Sequence, residues 1–211
     1  KSFTGAPYFA EEARPESTPG QAKQIEDKAT TLLGREYVRL LASTLTFDIH
    51  LTSNYRSPES NAGIMTNIIH KDREKGTDGL GIYGKRGAGY KKDWARYKSQ
   101  TGETKPAKHG KTWNKMYAQL LIYYRASKKG HSIGSSLDLS SRRLSRKQVA
   151  DVLWAHHKLG AGFGMLEHNP PHIHLNITPK GHKFSSTADC NDPAKVKAAL
   201  EKMIANASAS Q

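Results

Sequence analysis

The segment "HIHLNI", residues 172–177, alternates polar and apolar side chains without a break. Successive side chains of a β-strand point to opposite faces, so this alternation predicts a strand with one face in a core. His172 and His174 then share one face, and Ile173 lies on the other. The chain must therefore build a sheet with one apolar face, and the two neighbouring imidazoles lie on the other face of that sheet. Such a pair serves a metal ion, a proton-transfer site, or neither.

The other segments predict helices around a few short strands. Strand patterns are found in "TFDIHLT" (46–52) and "GAGFGML", the latter joined to residues 172–177 by a tight Asn-Pro-Pro turn, and "HSIGSSLDLSS" predicts a turn that leads into a short strand. Helical spacing is found in residues 21–43 with an interruption at Gly34, from Pro58 onward, in residues 113–127 and 145–160, and from Pro193 onward. No βαβ unit repeats, so the predicted fold class is α+β: a small antiparallel sheet flanked by helices.

Charge and turn residues are unevenly distributed along the chain. Residues 1–20 contain three prolines and two glycines with no periodicity, which predicts an irregular arm. Residues 71–129 contain 16 Lys and Arg against 5 Asp and Glu, and so contribute 11 of the net +14. We expect one domain of 211 residues with 71–129 as a basic insertion. The charge favours an acidic partner: nucleic acid, an anionic membrane surface or a phosphate-rich cell wall.

Several classes of protein are disfavoured by what the sequence lacks. Cys190 is the only cysteine, which excludes an intrachain disulfide and a four-cysteine metal site. No run approaches the 18 apolar residues of a membrane helix, so no membrane span is expected. The first 20 residues lack the apolar middle of a signal peptide. Either the protein is not exported by that route, or the sequence begins after a cleaved signal.

Three residues suggest a catalytic metal site. His131 and Asp138 lie seven apart in "HSIGSSLDL", and His174 ends "HIH". Two imidazoles and one carboxylate make a three-ligand zinc set with a fourth position left for water. Such a site also needs a proton-transfer group, for which the sequence places His172, Glu167 and His168 close by. A cation, best an arginine, would then hold an anionic substrate end or a developing oxyanion.

The first of these segments resembles a known family. In "GHSIGSSLDLS", His131, Gly134, Ser136 and Asp138 match the first zinc motif of the D-alanyl-D-alanine metallopeptidases, which are carboxypeptidases and dipeptidases of bacterial cell-wall peptides. The segment "LTSNYRSPESN" is similar to that family's "TSGYRSPE", whose arginine contacts substrate and corresponds to Arg56.

The closing segment "PPHIHLNI" resembles the His-x-His of the related murein endopeptidases. In that family the second histidine binds zinc and the first is catalytic, which maps onto His174 and His172. The three motifs occur in the family's order and cover about a third of the chain. Residues 1–20 and 71–129 lie outside them.

The resemblance implies a zinc-dependent peptidoglycan peptidase with one Zn²⁺ per chain. The ion is held by His131, Asp138 and His174, and zinc-bound water attacks a bond of the stem or cross-link peptide. A basic insertion suits a polymer substrate, so we expect an endopeptidase rather than a carboxypeptidase. We also expect residues 71–129 to bind anionic wall polymers. The protein would act in the periplasm or cell wall, as a secreted protein, or after release by a phage.

Roles for the remaining site residues follow from the same resemblance. The catalytic groups are His172, Glu167 and Arg56, and substrate is bound by Arg56, Tyr55 and Ser136.

Two positions depart from the family pattern. Many of its carboxypeptidases place Asp or Glu three residues before the last zinc histidine, where this chain has Pro171. Either His172 takes the role of the base or Glu167 reaches into the site. Asn54 replaces a family glycine, which we expect to matter little because Asn tolerates a left-handed backbone.

Two other classes of function remain open. Rolling-circle and relaxase nucleases also carry His-hydrophobic-His on a strand, bind a divalent metal and use a tyrosine nucleophile, and the +14 charge suits single-stranded DNA. That hypothesis leaves "HSIGSSLDLS" and "TSNYRSPES" unexplained. The third hypothesis is a wall-binding module that has kept the fold without catalysis.

Overall fold

The computed structural model describes residues 31–74, 99, 109–168 and 171–209. The predicted arm lies outside these residues, as does most of the predicted basic insertion. Two compact units are present: the first contains the residues up to Tyr55 and from Lys128 onward, and the second is Arg56–Ser127. No helix in the described ranges is long and apolar enough to cross a membrane.

The sheet has four antiparallel strands and belongs to the first unit. In chain order they are β1 (Leu51–Ser53), β2 (Ser136–Ser140), β3 (Gly164–His168) and β4 (Pro171–Asn176), and their order across the sheet is β1-β2-β4-β3. The described residues add five α-helices: α1 (Leu32–Ser43), α2 (Pro58–Glu74), α3 (Lys111–Ala126), α4 (Arg146–Lys158) and α5 (Pro193–Ala209). The predicted α+β class is confirmed.

One face of the sheet is the core. Leu137 and Leu139 of β2 and Ile173 and Leu175 of β4 are completely buried. Burying a side chain of this size contributes about 1.5–3 kcal/mol. The polar residues that alternate with them face the other way, so the strand predicted for residues 172–177 is confirmed as far as Asn176, where β4 ends.

Helices α1, α4 and α5 supply most of the other residues of this core, and their caps fix where two of them begin. Ser145 and Gln148 form a capping box at the start of α4, as the predicted start at Ser145 requires. The Asp192 carboxylate accepts hydrogen bonds from the backbone N–H groups of Ala194 and Lys195 at the start of α5.

The second unit contains the helices α2 and α3, which pack on each other around Ala62, Met116 and Leu120. The Trp113 indole N–H donates to Asn67 Oδ1 over 3.2 Å. Most of the described residues of the predicted basic insertion therefore belong to α3.

Two local predictions for the first unit are wrong. Residues 46–50 are not a strand, although Ile49 and Leu51 are buried as the alternation requires. The reason is that β2 ends at Ser140, which hydrogen-bonds to the His50 carbonyl, so earlier residues have no strand opposite them. Helix α1 also runs through Gly34 without interruption. A Cβ at Gly34 would lie 2.5 Å from the Asn54 side chain, so close packing explains the glycine.

A polar pair is buried in the core between α1 and α4. The Tyr37 hydroxyl and Nδ1 of His156 share a hydrogen bond, and both residues are almost completely inaccessible. Burial lowers the pKa of His156 from 6.5 to about 4 and raises the pKa of Tyr37, so both stay neutral. The neighbouring His157 is exposed.

The His156 burial predicts a pH dependence of stability. Between pH 6.5 and about 4 the unfolded chain binds a proton at His156 that the folded protein does not. The free energy of unfolding should therefore fall as the pH is lowered through this window, by about 3 kcal/mol. Urea unfolding of metal-free protein at several pH values measures it. The double variant Tyr37→Phe/His156→Leu should lose this component, and the exposed control His157→Gln should keep it. Equal pH slopes for all three proteins would contradict the assignment.

Candidate metal centre

Strand register brings the predicted site residues together on the polar face of the sheet. In the β2–β4 pair, Asp138 lies opposite His174 and Ser140 opposite His172. In the β3–β4 hairpin, Glu167 lies opposite His172. Residues opposite each other on antiparallel strands have Cβ atoms about 4.5–5.5 Å apart, which is within reach of these side chains.

His131 reaches the same place from a tight turn before β2. The turn contains a short 3-10 helix, Gly130–Ser132, and the Gly130 carbonyl accepts hydrogen bonds from three following backbone N–H groups. Gly130 and Gly134 have φ of 63° and 83°, which L side chains rarely adopt. A Cβ on Gly134 would also collide with Thr31. The glycine in the His131 motif is therefore required by the backbone that carries the histidine.

Side chains from three segments converge on one carboxylate oxygen. Oδ1 of Asp138 lies 3.1 Å from Nε2 of His131 and 2.9 Å from Nδ1 of His174. Tetrahedral ligands bound at about 2.0–2.1 Å stand about 3.3 Å from one another, which is close to these spacings. His131, Asp138 and His174 are close enough together to hold a metal ion.

In His131 and His174, the hydrogen bond of the ring nitrogen that faces away from Asp138 shows which nitrogen is available to a cation. Nδ1 of His131 lies 2.5 Å from the Asn54 carbonyl, and Nε2 of His174 lies 3.2 Å from Oδ1 of Asn176. Both partners are acceptors, so these nitrogens each carry an N–H. The nitrogens that face Asp138 then present lone pairs, and a cation or a second proton must lie between them and the carboxylate. This arrangement fits a metal site.

Asn54 has a larger role than the sequence indicated. Its φ is not positive, so the expected reason for tolerating Asn in place of glycine is wrong. The buried side chain accepts from the Thr31 hydroxyl and donates to the carbonyls of Gly134 and Ser136. Asn54 thus ties the turn that carries His131 to the start of α1, while its own carbonyl orients the ring.

His172 and Glu167, which the sequence left as rivals for the role of the base, form a pair. Nε2 of His172 lies 3.2 Å from Oε2 of Glu167 and 3.5 Å from Oδ1 of Asp138. The hydrogen bond from His172 holds the pKa of Glu167 below its usual value. The two groups therefore share one proton-binding position beside the candidate metal ligands.

The remaining predicted site residues lie in different surroundings. Ser136 is completely buried and its hydroxyl donates to Asn176 over 2.5 Å, so it supports the partner of His174. Tyr55 is half-buried directly after Asn54. Arg56 begins the second unit, where its carbonyl accepts from Asn61. The roles of Ser136, Tyr55 and Arg56 in substrate binding stay predictions, and the His168 side chain lies outside the described part.

Asn176 was not predicted to belong to the site. It is the second residue after His174, so it points to the same face of the strand, and this spacing was the signal available in the sequence.

Comparisons with models of protein families, with curated proteins and with solved structures found no match to this chain. The resemblance to the metallopeptidases therefore stays a prediction from three short motifs. The candidate metal centre is supported by the geometry of His131, Asp138 and His174.

The hydrogen bond to Asn176 predicts a measurable effect on metal affinity. Asn176→Leu removes the acceptor that keeps Nδ1 of His174 free for a ligand, so divalent-metal affinity should fall about 10–100-fold. His174→Ala should abolish tight binding. Competition with a chromophoric chelator measures both, and Asn114→Ala, an exposed asparagine in the second unit, is the control. An unchanged affinity in Asn176→Leu would show that the ring is held by other contacts.

Proposed function

We propose that the protein is a zinc-dependent peptidoglycan peptidase that cleaves within the stem or cross-link peptide. The observation that carries the proposal is the convergence of His131 and His174 on Asp138 with the His172–Glu167 pair beside it. Three metal ligands next to a proton-transfer pair are what metal-assisted hydrolysis of an amide requires.

Zinc is the metal that this donor set suits best. Two imidazoles and one carboxylate are a common catalytic zinc set, and Cys190, the one thiol, is buried and outside it. When bound, such an ion acts as a Lewis acid and makes hydroxide available near neutral pH. Because this chemistry needs only three protein ligands, a fourth position stays open to substrate and solvent.

The protein's own residues would hold and move the proton. A carboxylate with a lowered pKa is ionised near neutral pH, so Glu167 accepts a proton and His172 shares it over 3.2 Å. A protonated His172 beside Asp138 would stabilise the negative charge that develops on the carbonyl oxygen. Arg56 would bind a substrate carboxylate, for which a guanidinium fork is well suited.

The net charge of +14 supports a polymeric anionic substrate over a free dipeptide. Cell walls present carboxylates on their stem peptides and phosphates on associated polymers. An endopeptidase acting on cross-linked wall is therefore the reaction that we favour, with residues 71–129 as the polymer-binding segment.

A nicking endonuclease acting on single-stranded DNA is the second candidate. One observation favours it: Glu167, His172 and His174 form another possible donor set, centred on the His-x-His strand. That reaction also needs a tyrosine nucleophile. Of the described tyrosines in the first unit, Tyr37 is buried in the core, which leaves Tyr55. Metal-dependent nicking that Tyr55→Phe abolishes would favour this candidate.

Digestion of purified peptidoglycan tests the proposal. Wild-type protein loaded with zinc should release new peptide or muropeptide products that mass spectrometry identifies. His174→Ala should lose the activity, and His172→Ala should lower it about 10²–10⁴-fold, the usual contribution of a proton-transfer group.

Glu201→Gln on α5 removes an exposed carboxylate and is the matched control for Glu167→Gln. If Glu167 is the main base, Glu167→Gln lowers turnover at least as much as His172→Ala does, while Glu201→Gln leaves it unchanged. No new product from the wild-type protein would refute the peptidase.

A further inference from the structure

Glu167 and His172 form a second set of metal-binding groups beside the first. Together with His174, their ligand atoms all lie within 4.8 Å of one another. Both side chains are partly accessible, at 17% each, so an ion from solvent can reach them. The two groups of candidate ligands share one residue, His174, and this limits how two ions could bind at the same time.

One imidazole nitrogen binds one ion. Nδ1 of His174 faces Asp138 and Nε2 donates to Asn176, so the ring has a single nitrogen to give. If the first ion takes Nδ1, the ligands left for another ion are Glu167 and His172. The carboxylate of Asp138 completes this set, because Oδ1 also lies 3.5 Å from Nε2 of His172. A carboxylate has two oxygens with about four lone-pair sites and can bridge two cations.

We propose that the protein has a second, weaker divalent-cation site formed by Glu167 and His172, adjacent to the first and sharing the Asp138 carboxylate with it. Ions that share a bridging carboxylate in two-metal sites lie about 3.5–4 Å apart. The ligand class, one imidazole with carboxylates, takes Zn²⁺, Co²⁺ or Mn²⁺.

The second site fills after the first. The first ion has three protein ligands, two of which are oriented by hydrogen bonds to the Asn54 carbonyl and to Asn176. The second ion must separate the hydrogen-bonded pair of His172 and Glu167 and approach an ion of like charge. Its affinity should therefore be lower by about tenfold or more, which corresponds to about 1.4 kcal/mol.

Filling this site has a consequence that rests on the proposed function. The second ion occupies the lone pairs that Glu167 and His172 would use to move a proton. Excess metal should then inhibit the peptidase, with half-inhibition at the concentration at which the second ion binds.

Cobalt titration of the metal-free protein tests the second site without any assay of activity. Co²⁺ is paramagnetic, so its spin resonance reports whether two ions are neighbours. We expect the intensity of the signal to rise in proportion to added Co²⁺ up to one equivalent. Beyond one equivalent it should rise less than the added Co²⁺ would give, because the second ion couples magnetically to the first. Calorimetry in parallel should resolve two binding steps.

Glu167→Gln should keep the first step and weaken the second about tenfold or more, while Glu201→Gln should keep both. His172→Gln repeats the test at the other ligand should Glu167→Gln fold poorly. Saturation of the wild type at one ion, an uncoupled second signal, or a second step that neither variant weakens would each overturn the site. Two coupled ions in a protein that leaves peptidoglycan intact would support this inference while refuting the proposed peptidase.

Discussion

The Asp138 carboxylate is the group on which the site depends. Its side chain is 4% exposed and stands in the central part of the sheet, where an unpaired negative charge would be strongly destabilising. Nitrogen atoms of three imidazoles lie within 3.5 Å of one of its oxygens. A cation held among them would compensate the buried charge, and binding of the ion would then be coupled to the stability of the fold.

The rest of the first unit keeps these groups in register. The apolar face of β2 and β4 is buried against helices, so a slip of one residue would place the site side chains in the core. Asn54 joins the turn of His131 to the start of α1, and Ser136 supports Asn176 behind His174. His131 is thus held by the Asn54 carbonyl, and His174 by Asn176 of its own strand, which Ser136 of β2 supports in turn.

Local patterns in the sequence were sufficient for most of the described elements and for the three candidate ligands. Alternation around Ile173 marked β4, Ser145 marked the start of α4, and the spacing of His131 and Asp138 with a later His-x-His marked the candidate metal site. Each of these patterns is formed by residues close together in the sequence, or matches a known motif at every position that defines it. The fold class follows from the same patterns, because short alternating segments among helical ones leave few alternatives.

Contacts between distant segments could not be predicted in this way. Gly34 was interpreted as an interruption because its neighbour Asn54 is twenty residues further on. Of the strand predicted for residues 46–52, only Leu51 and Thr52 belong to β1, because the length of β1 is set by where β2 ends. The pairing of Glu167 with His172 depends on the register of the β3–β4 hairpin, which a single sequence does not specify.

X-ray absorption at the zinc edge of the protein loaded with one equivalent of zinc tests whether His131, Asp138 and His174 bind the ion. We expect a first shell of nitrogen and oxygen only, at about 2.0–2.1 Å, with the outer-shell scattering of two imidazole rings. That imidazole scattering should be reduced to one ring in His131→Ala. A shell that contains sulfur, or one whose imidazole scattering is the same in His131→Ala, would contradict the site described by His131, Asp138 and His174.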